Sequence, residues 1–411
     1  MKLLNLVLQN IGPFSDERIV FEDDIQTAKQ QVTIITGENG SGKTVIIDAI
    51  RYLMYGYNKP YEERNIVNDE SNFRASLMYT TSKGVVDYID SSKLMSNGSC
   101  FELQKMSLMD KFSDPSDENW YMFDYWTSKL STDSFNVLNI TMPNHRAILN
   151  KSLSGIHSNQ DVTQLIVYFD YMRSSDDPIE AELGKTMFEL TKKIFNISLN
   201  NGHFIKVQRG NLKPLVSVFG SELTLEKLSS GNLYLLQRLI SLLGKAYAIY
   251  SLRKEKTEME DITLIPGILI IDEAENHLHP KWQKTFLRDI ISIFPNLQII
   301  VTTHSPFIVS SVKDARVYVC ESHKDKTRIV DASAMYSNKP IDEILSTKLF
   351  NTSAFGIEIS VLLAKRKQAI LEKNNVMEED LEKQLLELNP QYFSFFRLEK
   401  LLRNGGIDEA H

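Results

Sequence analysis

Gly37-Glu38-Asn39-Gly40-Ser41-Gly42-Lys43-Thr44 decides the fold of this 411-residue chain. It fits the pattern Gly, four residues, Gly-Lys-Ser/Thr, a P-loop built to hold nucleotide phosphates. Each position answers a physical demand. Glycines let the backbone turn tightly so that several N–H groups face phosphate oxygens, and the dipole of the following helix favours an anion. Lys43 is expected to reach the β- and γ-phosphates, and the Thr44 hydroxyl to ligate Mg²⁺. The flanks suit such a loop. Gln31-Val32-Thr33-Ile34-Ile35-Thr36 is a β-branched run that predicts a buried strand, and Thr44 to Tyr55 carries Ile47, Ile50, Leu53 and Met54 at helical spacing. Further out, Leu3 to Leu8 reads as a strand and Asn10-Ile11-Gly12-Pro13-Phe14 as a turn. The first 60 residues therefore predict strand, turn, strand, helix.

Three more motifs follow downstream. Gly267-Ile268-Leu269-Ile270-Ile271-Asp272-Glu273-Ala274-Glu275 is an apolar strand ending in carboxylates. Behind a P-loop, Asp272 is the residue to hold Mg²⁺ through its water shell, and Glu273 the residue to orient or deprotonate an attacking water. Gln298-Ile299-Ile300-Val301-Thr302-Thr303-His304-Ser305-Pro306-Phe307 puts His304 at a strand's carboxyl end, where ligands of α/β proteins bind and where it can contact a γ-phosphate. Between the P-loop and the acidic strand, Leu228-Ser229-Ser230-Gly231-Asn232 heads an amphipathic helix. Taken alone, Ser-Ser-Gly is an ordinary N-cap. His277 and His279 invite a metal reading, but no further ligand stands at zinc-like spacing, and a loop crossing a dimer seam fits Glu275 to Gln283 better.

Composition narrows the class. Hydrophobic residues make up 42% and charged residues 24%, an ordinary globular balance. No apolar run approaches the roughly 18 residues that cross a bilayer, and the N-terminus turns polar too soon for a secretory signal. Cys100 and Cys320 have no paired spacing, so neither a disulfide framework nor a thiolate zinc site is expected. A cytoplasmic protein with no membrane partner is the expectation. The net charge of −7 argues against a dedicated nucleic-acid binder; any such contact runs through a local patch or a partner. The mildly basic stretch Lys192, Lys193, Lys206, Arg209, Lys213 reads as a solvated face.

The chain between about Pro60 and Glu222 is rich in Ser, Asn and Asp and reads as an inserted lobe, with a loop at Phe112 to Asn119 and a helix near Ile179 to Phe195. It shows no sustained heptads. Regular α/β patterning returns at Leu225, with helices expected over about Ser230 to Lys254 and Pro280 to Ile293. Beyond Pro340 the pattern is helical to Arg403, with breaks near Asn374 and Asn389-Pro390. Leu381, Leu385, Leu386, Leu388, Phe393, Phe395, Phe396, Leu398, Leu401 and Leu402 are too dense for a solvated tail.

The order P-loop, Ser-Ser-Gly helix, Asp-Glu strand, crossing loop, His resembles that of ABC-type AAA ATPases. Asp272 to Pro280 with Thr302 to Pro306 is similar to the soluble branch that includes RecF, SMC and overcoming-lysogenisation ATPases. The tail from Lys339-Pro340-Ile341-Asp342-Glu343-Ile344-Leu345 resembles that of the Septu anti-phage ATPases and their retron-associated relatives. The resemblance implies an α/β fold, an ABC-type P-loop NTPase head split over 1–60 and 223–338. It adds an inserted lobe at 61–222 and a helical tail at 339–411 that could dock a partner. It implies ATP and Mg²⁺ as cofactors and a slow ATPase. Ser229, Ser230 and Gly231 become the signature segment, contacting nucleotide held by a second copy, so the implied assembly is a homodimer, or a higher oligomer, with composite ATP sites. Septu ATPases work with a separate HNH-type nuclease, and that partner is implied here.

This chain departs from the family twice. A γ-phosphate-sensing glutamine has no secure position, and the signature lacks its first glycine, with Asn232 in place of Gln or Glu. Glu321-Ser322-His323-Lys324-Asp325 has the carboxylate spacing of the Toprim nuclease that follows overcoming-lysogenisation ATPases, but Ser replaces Gly and no Asp-x-Asp follows. A polar hairpin between Val317–Cys320 and Thr327–Val330 explains it, so the chain is not expected to be a nuclease itself. A RecF- or SMC-like repair ATPase acting directly on DNA is the alternative, and a binding module that holds ATP and rarely hydrolyses it is a third.

Overall fold

The structure, a computed structural model, describes residues 1–22, 32–55, 66–69, 72–81, 84–94, 101–103, 108–109, 121–199, 201–253, 259–324, 326–345, 347, 350, 357–372 and 374–396. The chain divides into two compact units, Met1–Lys339 and Pro340–His411. Strands of the first unit are β1 (Lys2–Ile11), β2 (Phe14–Val20), β3 (Val32–Gly37), β4 (Arg74–Thr80), β5 (Val86–Ser91), β6 (Met122–Trp126) and β7 (Gly202–Gln208). They continue with β8 (Lys213–Val218), β9 (Ser221–Thr224), β10 (Gly267–Ile271), β11 (Leu297–Thr303), β12 (Arg316–His323) and β13 (Lys326–Asp331).

The central sheet has six strands in the order β13-β12-β3-β11-β10-β6. From β12 through β6 every neighbouring pair is parallel, and only β13 runs against its neighbour. All residues of β3, β10 and β11 are buried, as strands covered on both faces must be, which is why they read as unbroken apolar runs. Parallel pairing brings the carboxyl ends of β3, β6, β10 and β11 to one edge, and the chemistry-bearing residues follow those ends.

A second sheet, β2-β1-β4-β5, is antiparallel throughout. Leu6, Phe14, Leu77 and Tyr79 from it share one buried cluster with Ile47 and Leu53 of the P-loop helix Lys43–Tyr55, and with Ile270 and Ile300 of the central sheet. A third sheet, β7-β8-β9, follows the helix Pro178–Ser198, which Asp177 caps through the amides of Ile179 and Glu180.

Some of this departs from the pattern read in the sequence. β2 was not expected there; Ser15, Asp16 and Glu17 made it polar, because an edge strand has one solvated side. Three strands from 61–222 belong to sheets that also hold β1 and β10. β4 and β5 extend the sheet of β1, and β6 pairs with β10, so this stretch is interleaved with the head rather than set apart from it. The helix expected over Pro280 to Ile293 is two pieces, Pro280–Gln283 and Phe286–Ile293. The Glu321 segment forms the antiparallel hairpin of β12 and β13, with Ser322 opposite Thr327; Asp325 lies outside the described residues. So do Cys100, Phe112 to Asn119 and Lys254.

In the second unit, the helices Ile357–Leu371 and Asn375–Leu388 are followed by a short turn of helix, Pro390–Phe393. Leu385, Phe393 and Phe396 form its buried centre, with Ile359, Leu362, Leu363 and Leu386 packed against it. Arg366 lies 4.1 Å from the Phe396 ring centroid and pairs with Glu382 at 2.7 Å. Leu388 and Phe395 remain exposed, and Leu398, Leu401, Leu402 and Arg403 lie outside the described residues. Among the described residues no helix is long and apolar enough to cross a membrane.

Candidate nucleotide site

β3 ends at Gly37, and the P-loop helix begins at Lys43. Gly40 and Gly42 hold φ at 79° and 94°, a region that disfavours side chains. A Cβ on Gly42 would also stand 2.5 Å from Pro13 Cγ and 2.7 Å from Phe14 Cζ, so the loop closes tightly over the turn between β1 and β2. Lys43 Nζ donates to the carbonyls of Gly37 at 3.1 Å and Glu38 at 2.8 Å. Burial lowers the Lys43 pKa, while the charges of Glu275, Asp272 and Glu273 raise it. Beneath the loop, burial pushes the Cys320 thiol up to about 12, so it packs as a small apolar residue.

Asp272 leaves β10 with its amide bonded to the Trp126 carbonyl at 2.9 Å. Its carboxylate accepts the Thr302 hydroxyl, and the same Thr302 oxygen accepts the Glu273 amide at 2.9 Å. Burial raises the Asp272 pKa; hydrogen bonds from Thr302 and Thr44 oppose that rise. Thr44 and Asp272, the two oxygen donors expected for Mg²⁺, are therefore neighbours. Among the described residues no three His, Cys, Asp or Glu side chains form a metal-binding group. A hard cation here would complete its shell with phosphate and water, as Mg²⁺ at nucleotide sites does. Glu273 adopts φ of 52°, and Asn276 Nδ2 donates to its Oε2 at 2.7 Å.

His304 follows β11, the strand between β3 and β10. Burial and the Lys43 charge lower its pKa, against Glu275 and Glu273. One edge thus gathers Lys43, Thr44, Asp272, Glu273 and His304. Sequence reasoning missed Glu275, whose carboxylate accepts the His304 amide at 2.8 Å and the Thr303 hydroxyl at 2.7 Å. It was visible only as one more acidic residue in the loop.

Ser229 caps the long helix Ser230–Leu252, accepting the Asn232 amide at 3.3 Å. The structure seats this helix start on the crossing loop. A Cβ on Gly231 would lie 2.5 Å from the His277 carbonyl and 2.9 Å from Trp282. Both loop histidines are engaged, His277 Nε2 with the Ser128 carbonyl at 2.7 Å and His279 Nδ1 with the Lys281 amide at 3.2 Å. Arg238, fully buried on the same helix, donates to the carbonyls of Thr127 at 3.1 Å and Lys129 at 2.6 Å. Thr127, Ser128 and Lys129 leave β6, the strand flanking the acidic one, and no glutamine stands there. In the basic stretch Lys192 pairs with Glu189 at 2.7 Å and Lys213 with Glu226 at 3.2 Å, while Lys193 donates to the Ser292 carbonyl at 3.0 Å.

Residues 123–310 match the family described as "AAA domain, putative AbiEii toxin, Type IV TA system", and residues 1–93 match a second AAA-domain family. Strand order, motif order and these matches give the chain the fold and motif set seen in ABC-type AAA ATPases. It is similar to Septu protein PtuA of Bacillus thuringiensis, at 24% identity over 335 residues, covering 76% of this chain and 77% of that one. The retron Vc95 probable ATPase of Vibrio cholerae is 33% identical over 116 residues, which span 28% of this chain and only 21% of that protein. Among solved structures, the SMC head domain from Thermotoga maritima aligns over 80% of this chain and 99% of that one, at 17% identity and a TM-score of 0.43.

Proposed function

We propose that this chain is the ATP-hydrolysing subunit of an anti-phage defence system, a dimeric switch that regulates a separate HNH-type nuclease. The observation that carries the hydrolytic part is the meeting of Lys43, Thr44, Asp272, Glu273 and His304 on one sheet edge. Septu and retron ATPases among the relatives support the defence setting. The P-loop amides and Lys43 hold the β- and γ-phosphates, and Thr44 and Asp272 hold Mg²⁺, which screens the phosphate charge when bound. Glu273 takes a proton from the attacking water as its oxygen bonds to the γ-phosphorus, and the bond to the bridging oxygen breaks, leaving ADP and phosphate. His304 meets the γ-phosphate as the switch. Turnover is slow, and the nuclease does the cutting.

In this reading Ser229, Ser230 and Gly231 complete the site of a second copy. Mixing a Lys43→Ala subunit with a Ser230→Arg subunit tests it. The mixed dimer is expected to recover ATP hydrolysis that neither variant shows alone, and cleavage by the product of the adjacent gene is expected to change with ATP. Full hydrolysis by a monomer at all concentrations in sedimentation would overturn the composite site. An adjacent product that neither co-purifies nor responds to ATP would overturn the switch.

A further inference from the structure

We infer that Glu275 is a positioning residue that clamps His304 in place and ties it mechanically to the crossing loop around His277. The inference rests on the ATPase reading above and deepens it. The β10–β11 ladder runs out at the pair Ile271 and Val301, with one further bond from the Ala274 amide to the Thr302 carbonyl at 3.0 Å. Past that point nothing in sheet pairing holds residues 303–305 beside the acidic strand. Glu275 supplies the missing link from its side chain, Oε1 to the His304 amide at 2.8 Å and Oε2 to the Thr303 hydroxyl at 2.7 Å.

The far side of His304 is tied to the same loop. Thr303 Oγ1 accepts the Ser305 amide at 2.9 Å, and the Ser305 hydroxyl donates to Gln283 Oε1 at 2.6 Å. Gln283 Nε2 donates back to the carbonyls of Leu278 at 2.8 Å and Glu275 at 3.3 Å. The residues before and after His304 are thus bonded to one segment, 275–283, on which the signature helix also sits. Displacing that segment displaces His304.

A carboxylate suits this place for a specific reason. It accepts at both oxygens, whereas a glutamine in the same pose presents one acceptor and one donor. The Thr303 hydroxyl would then have to turn, because it already accepts the Ser305 amide. Glu275 also places negative charge near Lys43 and His304, raising the pKa of each against the lowering by burial.

The test compares Glu275→Ala, Glu275→Gln, His304→Ala and the Glu275→Ala/His304→Ala double variant in the full chain. Two readouts are used. Amide exchange across residues 303–305 reports the clamp without any need for turnover. There, Glu275→Ala is expected to lose protection and Glu275→Gln to retain most of it. In steady-state hydrolysis, Glu275→Ala is expected to lower kcat by about 10- to 100-fold, with the KM for ATP moving less than about threefold. The double variant should be no slower than His304→Ala alone, since Glu275 acts through that histidine. Losses that multiply, or unchanged protection in Glu275→Ala, would overturn the inference. Glu275→Gln, of equal volume, decides the matter if the alanine variant does not fold, since loss of the Thr303 bond alone must still lower kcat. A parent that hydrolyses no ATP would sink the ATPase reading by itself, and amide exchange would still decide the clamp.

Discussion

Asp124 on β6 and Lys245 on the long helix Ser230–Leu252 meet at 2.6 Å, with side chains 1% and 4% exposed. Burial alone would raise the Asp124 pKa, but Lys245 and His157 outweigh it and hold the carboxyl well below the usual range. Trp126 Nε1 adds a hydrogen bond at 2.9 Å. A buried pair of this kind is costly to break from one side, because the remaining charge stays in the interior. Lys245→Met should therefore destabilise the chain by about 3–5 kcal/mol, read from urea midpoints. A loss below about 1 kcal/mol would show that water reaches Asp124.

His157 contacts the same carboxylate, with Nε2 3.2 Å from Oδ1. Burial lowers its pKa to about 4, against the pull of Asp124, so it is neutral when folded. The unfolded chain takes up the proton near pH 6.5, so stability falls as the pH drops from about 6.5 toward 4. Removing the imidazole removes that slope. The parent should lose up to about 3 kcal/mol relative to His157→Gln across this window. Parallel pH profiles for the two proteins would contradict the assignment.

Lys43→Ala should abolish ATP binding, because the phosphate charge loses its principal counter-charge. Glu273→Gln should bind ATP as the parent does and fail to hydrolyse it, accumulating the ATP-bound closed form. Titration with a fluorescent ATP analogue separates the two variants. Parental hydrolysis by Glu273→Gln would move the base to another residue.

A chain ending at Lys339 keeps Asn338, whose side chain bonds Asp314 at 3.1 Å, and removes the second unit whole. That unit has its own buried centre. The truncated chain should stay folded and hydrolyse ATP, yet fail to co-purify with the proposed partner nuclease. Aggregation of the truncated chain would mean that the tail instead covers the head. A folded product that still binds the nuclease would rule out tail docking.

Residues that stand at the ends of apolar strands were legible in the sequence. Lys43, Asp272, Glu273 and His304 each follow a run whose burial and length are written in consecutive residues. β6 was not legible, because Met122-Phe123-Asp124-Tyr125-Trp126 holds a charge that only Lys245 and His157 make tolerable, and both lie far along the chain. Arg238 was hidden in the same way. Its place on an apolar helix makes sense only once the Thr127 and Lys129 carbonyls are found beside it. Glu275 could be read as acidic, while its two hydrogen bonds depend on where β11 ends.

The position of β3 also governs how the protein emerges from the ribosome. This strand carries the P-loop and is among the first segments made, yet both its neighbours, β11 and β12, come from beyond residue 296. At ordinary elongation rates roughly 15 to 60 s separate the synthesis of Gly37 from that of His323. Throughout that interval an apolar, β-branched strand has both edges open, and the nascent chain has no nucleotide site to fill. A holdase, or early packing of the P-loop helix against β1 and β4, has to shield it until the sheet can close.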